Sequence, residues 1–300
     1  MIRFFDGGMG SMLNLAAGEL PEKLNISEPE RVFAVHKGYA DAGAEFITAN
    51  TFGANSLKYD NVDELVKAGV ALAKKAGKYV ALDIGPTGKL LKPMGDLEFE
   101  RAVELFAEVV RAGKDGSDVA IIETMSDMYE LKAAVIAVKE NSDLPIITSM
   151  IFDESGRLLT GGDVKSAVAM LEGLRVDAIG FNCGLGPKQM IPLVKELREC
   201  TSLPILVMPN AGLPESVDGK TVYNVSPDEF AQDMREIAKL GVSILGGCCG
   251  TTPKHIAKMI ELCKDIPDNV PEKKNDTVVC SYSSAVTIGE KPCLLYTSPS

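Results

Sequence analysis

Three cysteines stand where short apolar, β-branched runs give out: Cys183 in GFNCG, and the adjacent Cys248 and Cys249 in GGCCGTT. Thiolates are soft donors suited to zinc, and three protein ligands with a replaceable fourth position are the pattern of a catalytic site. A structural site would normally have four. An ion held by three thiolates is electron-rich and a weak Lewis acid, so it suits a thiol substrate, which coordination would deprotonate and leave nucleophilic. The chemistry this points to is attack of a substrate thiolate on an electrophilic carbon, most simply alkyl transfer. Any one of these cysteines alone reads as a small buried apolar residue, and the case for a metal rests on the trio. A second class of function is a thiol redox or binding module in which Cys248 and Cys249 switch between dithiol and disulfide.

Bringing those thiols together needs a fold that delivers strand ends to one place. Eight apolar runs have the length of buried parallel strands: Arg3–Phe5, Glu45–Ala49, Tyr79–Leu82, Val119–Ile122, Pro145–Ile151, Ala178–Phe181, Pro204–Met208 and Val242–Leu245. Between them the apolar residues recur at helical spacing, as in Val62–Lys78, Glu98–Lys114 and Pro227–Leu240. Asp163, Ser226 and Thr252 are expected helix caps, the last two followed by proline. Eight strand-then-helix units fit an α/β fold of the (β/α)8 TIM-barrel class, with its active site at the C-terminal rim of the strands. A doubly wound open sheet is the alternative. In the barrel, Cys183 after the sixth strand and Cys248–Cys249 after the eighth lie about two strand spacings apart, on the order of 10 Å.

The barrel is expected over residues 1–265. The polar, proline-containing stretch 266–290 reads as a linker, and 291–300 as a truncated or non-native tail. The formal charge of −11 and the lack of a basic run argue against nucleic acid, and no apolar stretch is long enough to span a bilayer. Seven cysteines suit a reducing compartment better than a disulfide framework, and the expected location is cytoplasmic.

Other residues fall on the same rim. Asp6 and Glu123, at the ends of the first and fourth strands, are carboxylates suited to an ammonium group, the alternative being ordinary polar closure of the mouth. Gly7, Gly8 and Gly10 let backbone approach a ligand and offer amides to a carboxylate. Asn50, Thr51 and Asn55 are rim candidates for which a turn-forming role is equally open. His36 on an outer helix receives no role, and His255 is expected to be turned away by the helix that Thr252-Pro253 starts. Cys200, Cys263 and Cys280 are expected away from the rim.

FDGGMGSML, ITANTFGANS, IIETM, GFNCG, PNAG and GGCCGTTPKHI occur in this order over residues 1 to about 265. On these motifs the chain resembles the homocysteine-binding domain of the homocysteine S-methyltransferase family. The resemblance implies zinc on Cys183, Cys248 and Cys249, with the homocysteine sulfur as exchangeable ligand. It implies Asp6 and Glu123 on the substrate ammonium, and Asn210 of PNAG as a fourth ligand when substrate is absent. The linker and the following AVTIGEKP resemble the entry to the pterin-binding module of the cobalamin-dependent methionine synthases. By that resemblance methylcobalamin, on a corrinoid-binding module of a longer chain, is the donor. A stand-alone enzyme using S-methylmethionine, S-adenosylmethionine or betaine is the alternative, disfavoured by the lack of Trp for an aromatic cage.

Overall fold

The computed structural model describes residues 1–15, 18–217, 220–267, 274 and 276–289, so the expected tail at 291–300 lies outside the described residues. Barrel strands β1 (Arg3–Phe4), β2 (Phe46–Thr48), β3 (Tyr79–Ile84), β4 (Val119–Met125), β5 (Ile146–Met150), β6 (Ala178–Asn182) and β7 (Ile205–Met208) are followed by a hairpin, β8 (Glu215–Val217) and β9 (Lys220–Val222). Strand β10 (Ile244–Leu245) is the eighth stave of the barrel. The parallel sheet runs β1-β10-β7-β6-β5-β4-β3-β2. Its seam is closed by a parallel bridge between Phe5 and Phe46, whose rings stack at 4.7 Å, and by the Glu45 N–H donating to the Phe4 carbonyl at 2.8 Å. The chain is a (β/α)8 barrel.

The short helices α1 (Met9–Leu13) and α2 (Leu24–Ser27) lead into α3 (Pro29–Asp41), which crosses to β2. The later crossovers are α4 (Val62–Ala76), α5 (Phe99–Gly113), α6 (Met128–Asn141), α7 (Val164–Gly173), α8 (Pro187–Cys200) and α9 (Pro227–Ala238), and α10 (Pro253–Cys263) closes the ring. The helices start where capping chemistry dictates. Asp163 accepts the Ser166 amide, Ser226 accepts the Glu229 amide, and Thr252 and His255 form a reciprocal capping box. Among the described residues no helix is long and apolar enough to cross a membrane.

Both faces of the strands are apolar because both are covered. One set packs against the helices; the other, including Phe5, Ala81, Val119, Ile121, Ile147, Ala178, Leu206 and Met208, fills the lumen. Side chains alternate along a strand, so this inward register continues upward to the mouth. From Phe46 it reaches Thr48, from Ala81 Asp83, from Val119 and Ile121 Glu123, from Ile147 Ser149, and from Ala178 Asn182. The polar residues of the site are therefore the last inward members of rows that begin as core.

The stretch expected as a linker holds a further hairpin, β11 (Val278–Cys280) and β12 (Ala285–Thr287), which packs on α7. Tyr282 at its turn donates to Asp127 Oδ2 at 2.9 Å and meets the Tyr129 ring edge-on at 4.7 Å.

Phe5 is fully buried and forms one side of the seam. Phe5→Ala is expected to cost about 3–5 kcal/mol in chemical denaturation. An unchanged midpoint would show that the seam does not hold the barrel.

Candidate active site

Cys183 follows β6 in the left-handed region, at φ 57°, with Gly184 behind it at φ 69°. A non-glycine residue rarely adopts that conformation, and here it turns the chain out of the strand while the thiol remains at the mouth. The Cys183 amide donates to the Met208 carbonyl of β7 at 3.1 Å. The dicysteine loop is held equally firmly: the Gly247 amide donates to the Asp6 carbonyl, the Cys248 amide to the Pro209 carbonyl, and the Cys249 amide to Asn210 Oδ1 at 3.0 Å. Thr251 Oγ1 donates to the Cys248 carbonyl at 2.6 Å and accepts the Gly8 amide at 3.2 Å. A Cβ on Gly8 would lie 2.6 Å from the Cys248 carbonyl oxygen, so glycine is required where the two loops meet.

These restraints bring the sulfurs of Cys183, Cys248 and Cys249 within 4.8 Å of one another, with Cys183 and Cys249 at 3.8 Å. A tetrahedral zinc with bonds of about 2.3 Å has sulfur-to-sulfur edges of about 3.8 Å. Donor type, number and spacing all fit zinc. Without an ion the crowded thiols share charge: hydrogen bonds from Cys183 and Cys248 hold Cys249 down at about 3, and bonding to its two neighbours with burial pushes Cys248 up.

The thiols share a cavity of about 230 Å³ with Asp6, Glu22, Asp83 and Glu123. Asp6 accepts the Thr48 amide at 2.8 Å and the Thr48 hydroxyl at 2.7 Å. Glu123 accepts from Asn182 Nδ2 at 2.6 Å. Asp83 and Glu22 were not evident as candidates in the sequence. Asp83 is buried against Glu123 and its Oδ1 has no partner among the described residues. Glu22, just before α2, is tied down by the Gly53 amide and the Tyr59 hydroxyl, each at 2.5 Å. Strand alternation from Ala81 points to Asp83; nothing local marks Glu22, which arrives through the long β1–α3 connection.

The remaining candidates divide. Gly7, Gly8 and Gly10 line the cavity, but the Gly8 amide is already taken by Thr251. Asn50 lines it too, with its amide committed to the Pro21 carbonyl and to Asn25. Thr51 lies behind the cavity lining, between Asn50 and Phe52, and its hydroxyl donates to the Asp83 carbonyl at 2.8 Å, anchoring the top of β3. Asn55 shapes its own turn by accepting the Leu57 amide. His255 Nε2 lies 3.0 Å from the Val225 carbonyl while its Nδ1 caps α10. His36 is buried with both ring nitrogens unpartnered among the described residues, and burial lowers it to about 4, so it packs as a neutral ring. Cys200 and Cys263 end α8 and α10, and Cys280 lies in the β11–β12 hairpin.

The profile of the homocysteine S-methyltransferase family matches residues 3–263. The chain belongs to that family. Methionine synthases of Mycobacterium leprae and Mycobacterium tuberculosis are 31% and 30% identical to it over 97% of its length. The chain spans 27% of each of these relatives, about a quarter of their length. Among solved structures, the metallated form of the Escherichia coli homocysteine methyltransferase MmuM superposes with a TM-score of 0.74 at 23% identity, covering 86% of this chain and 95% of that one. Its apo form gives 0.69 at 25% identity, covering 87% and 95%.

Burial pushes the Asp6 and Glu123 carboxyls each up to about 7, and puts Asp83 well above its ordinary range, with the Glu123 charge adding to it. These groups bind protons more tightly in the folded chain than in the unfolded one. Their contribution to stability is complete at acid pH and is lost as pH rises from about 4 through about 7. The melting temperature of metal-free protein is therefore expected to fall between pH 5 and pH 8, and Glu123→Gln to make that fall shallower. A flat profile in the parent protein would contradict the buried-carboxylate account.

Proposed function

We propose that this chain is a zinc-dependent homocysteine S-methyltransferase module, converting homocysteine to methionine with a methyl group from methylcobalamin carried on another module. The observation that carries the reading is the trio of sulfurs within 4.8 Å of one another in the same cavity as Asp6 and Glu123. Bound by Cys183, Cys248 and Cys249, zinc would supply a fourth position in which a substrate thiol is held as the nucleophilic thiolate. The rest is done by the chain. Asp6 and Glu123 hold the ammonium end, and their ionisation makes binding stronger as pH rises through about 7. Gly7, Met9 and Gly10 line the same cavity, and the first-turn amides of α1, which a helix leaves without internal acceptors, receive the carboxylate in this reading. Asn210 holds the Cys249 amide through its Oδ1, and as the neighbour of the dicysteine loop it is the residue that would offer zinc a fourth ligand when substrate is absent.

Two observations favour the corrinoid donor. Phe52 is the one aromatic side chain lining the cavity among the described residues, and with Tyr223 beside Cys249 it makes two aromatic rings, short of a cage closed around a sulfonium or quaternary ammonium donor. Exposed Phe52, Leu57, Leu90, Met94, Leu159 and Leu213 all lie on loops following barrel strands, and give the rim an apolar surface for a bulky donor and its carrier. The greater length of the methionine synthases is consistent with separate corrinoid-binding and pterin-binding modules.

Elemental analysis of reduced protein is expected to find one zinc per chain, and Cys248→Ala to lose it while keeping the far-UV spectrum of the barrel. A variant that retained zinc and activity would overturn the ligand assignment. With homocysteine as acceptor, methylcobalamin is expected to support transfer and S-methylmethionine not; the reverse would make this a stand-alone enzyme.

A further inference from the structure

Asn182 ends β6, next to Cys183, and is fully buried. Its Oδ1 accepts the Thr124 amide at 2.8 Å and the Ser149 hydroxyl at 2.7 Å. Its Nδ2 donates to Glu123 Oε2 at 2.6 Å and to Thr124 Oγ1 at 2.7 Å, and lies 3.9 Å from Cys248 Sγ. The Thr124 amide can only donate, which fixes which end of the Asn182 side chain is oxygen. Both lone-pair sites and both N–H bonds are used.

What those bonds hold is unusual. Thr124 is a β-branched residue at φ 63°, where the register of β4 against β5 shifts between Ile122 and Met125. Such a conformation persists only where the surroundings fix it, and Asn182 grips Thr124 by both backbone and hydroxyl. The same side chain meets Glu123 on β4 and the sulfur of Cys248 beyond β10, on opposite sides of β6 in the sheet.

We infer that Asn182 is a positioning residue that sets the span between the ammonium-binding carboxylate and the thiolate corner, and so selects homocysteine over its shorter homologue cysteine. This rests on the homocysteine reading above. A thiol one methylene shorter cannot fill both ends of a span held rigid, and one methylene is worth about 10- to 200-fold in discrimination. Removing the amide frees Glu123 and Thr124 to move, loosening the amine end without removing a zinc ligand.

The test is calorimetric binding of homocysteine, cysteine and 4-mercaptobutanoate, which lacks the amine, to the zinc-loaded protein. Asn182→Ala is expected to retain zinc, to weaken homocysteine by about 10- to 100-fold, to narrow its advantage over cysteine, and to leave 4-mercaptobutanoate nearly unchanged. Ser149→Ala, which removes one donor to Oδ1, is expected to act in the same direction more weakly, and it carries the test if the first variant does not fold. Equal weakening of homocysteine and 4-mercaptobutanoate, or undiminished homocysteine selectivity in both variants, would overturn the inference alone. A parent protein that binds no homocysteine would overturn the parent reading with it.

Discussion

Thiolates repel one another, and a protein that gathers three of them needs either protons or a cation to hold the cluster together. Here the sulfurs of Cys183, Cys248 and Cys249 are pinned within 4.8 Å of one another because the amides of their loops donate to the Met208, Pro209 and Asp6 carbonyls and to Asn210 Oδ1. Without an ion protons must supply the neutralisation, and hydrogen bonds from its two neighbours favour the charge on Cys249. A divalent ion would replace those protons with little rearrangement, because the tetrahedral edge of a zinc thiolate site, about 3.8 Å, is already the Cys183–Cys249 separation, and all three sulfurs lie within 4.8 Å of one another. The barrel supplies its own core, so an ion bound there would complete the mouth rather than the fold.

The second constraint is charge. Asp6, Glu22, Asp83 and Glu123 share one cavity with the sulfurs, a concentration of acid that water does not screen well. Burial first, and the neighbouring negative charges after it, push Asp6 and Glu123 up to about 7, so protons can relieve it. A ligand ammonium relieves it differently, by compensating the ionised carboxylates. Asn182 joins the two halves, bonding Glu123 and meeting Cys248, so that on the proposed reading amine recognition and thiol placement would be parts of one arrangement.

Much of this was legible from sequence because it is periodic or chemically distinctive. Buried parallel strands announce themselves as apolar runs, and all eight formed, β4 continuing beyond the expected Ile122 through Glu123 to Met125 because its register shifts there. Asp163, Ser226 and Thr252 capped the helices they were expected to cap. Cys183, Cys248, Cys249, Asp6 and Glu123 converge because barrel topology removes sequence distance. Asp83 and Asn182 were readable in principle, as the inward partners of Ala81 and Ala178, but a polar residue ending a strand is ordinarily a turn former. Glu22, Thr251 and Tyr39, whose hydroxyl donates to the Thr251 carbonyl at 2.8 Å, act through contacts between distant loops that no local pattern encodes. For Thr51 the sequence left a rim role and a structural role equally open, and its hydroxyl is used to anchor the Asp83 carbonyl.

The central claim, that the three cysteines hold zinc and leave one position to the substrate sulfur, is tested most directly by zinc-edge X-ray absorption on the loaded protein with and without homocysteine. The account predicts three sulfurs at about 2.3 Å plus one lighter ligand in the free protein, becoming four sulfurs on addition of homocysteine. A sulfur count unchanged by homocysteine, or fewer than three sulfurs at the start, would contradict it.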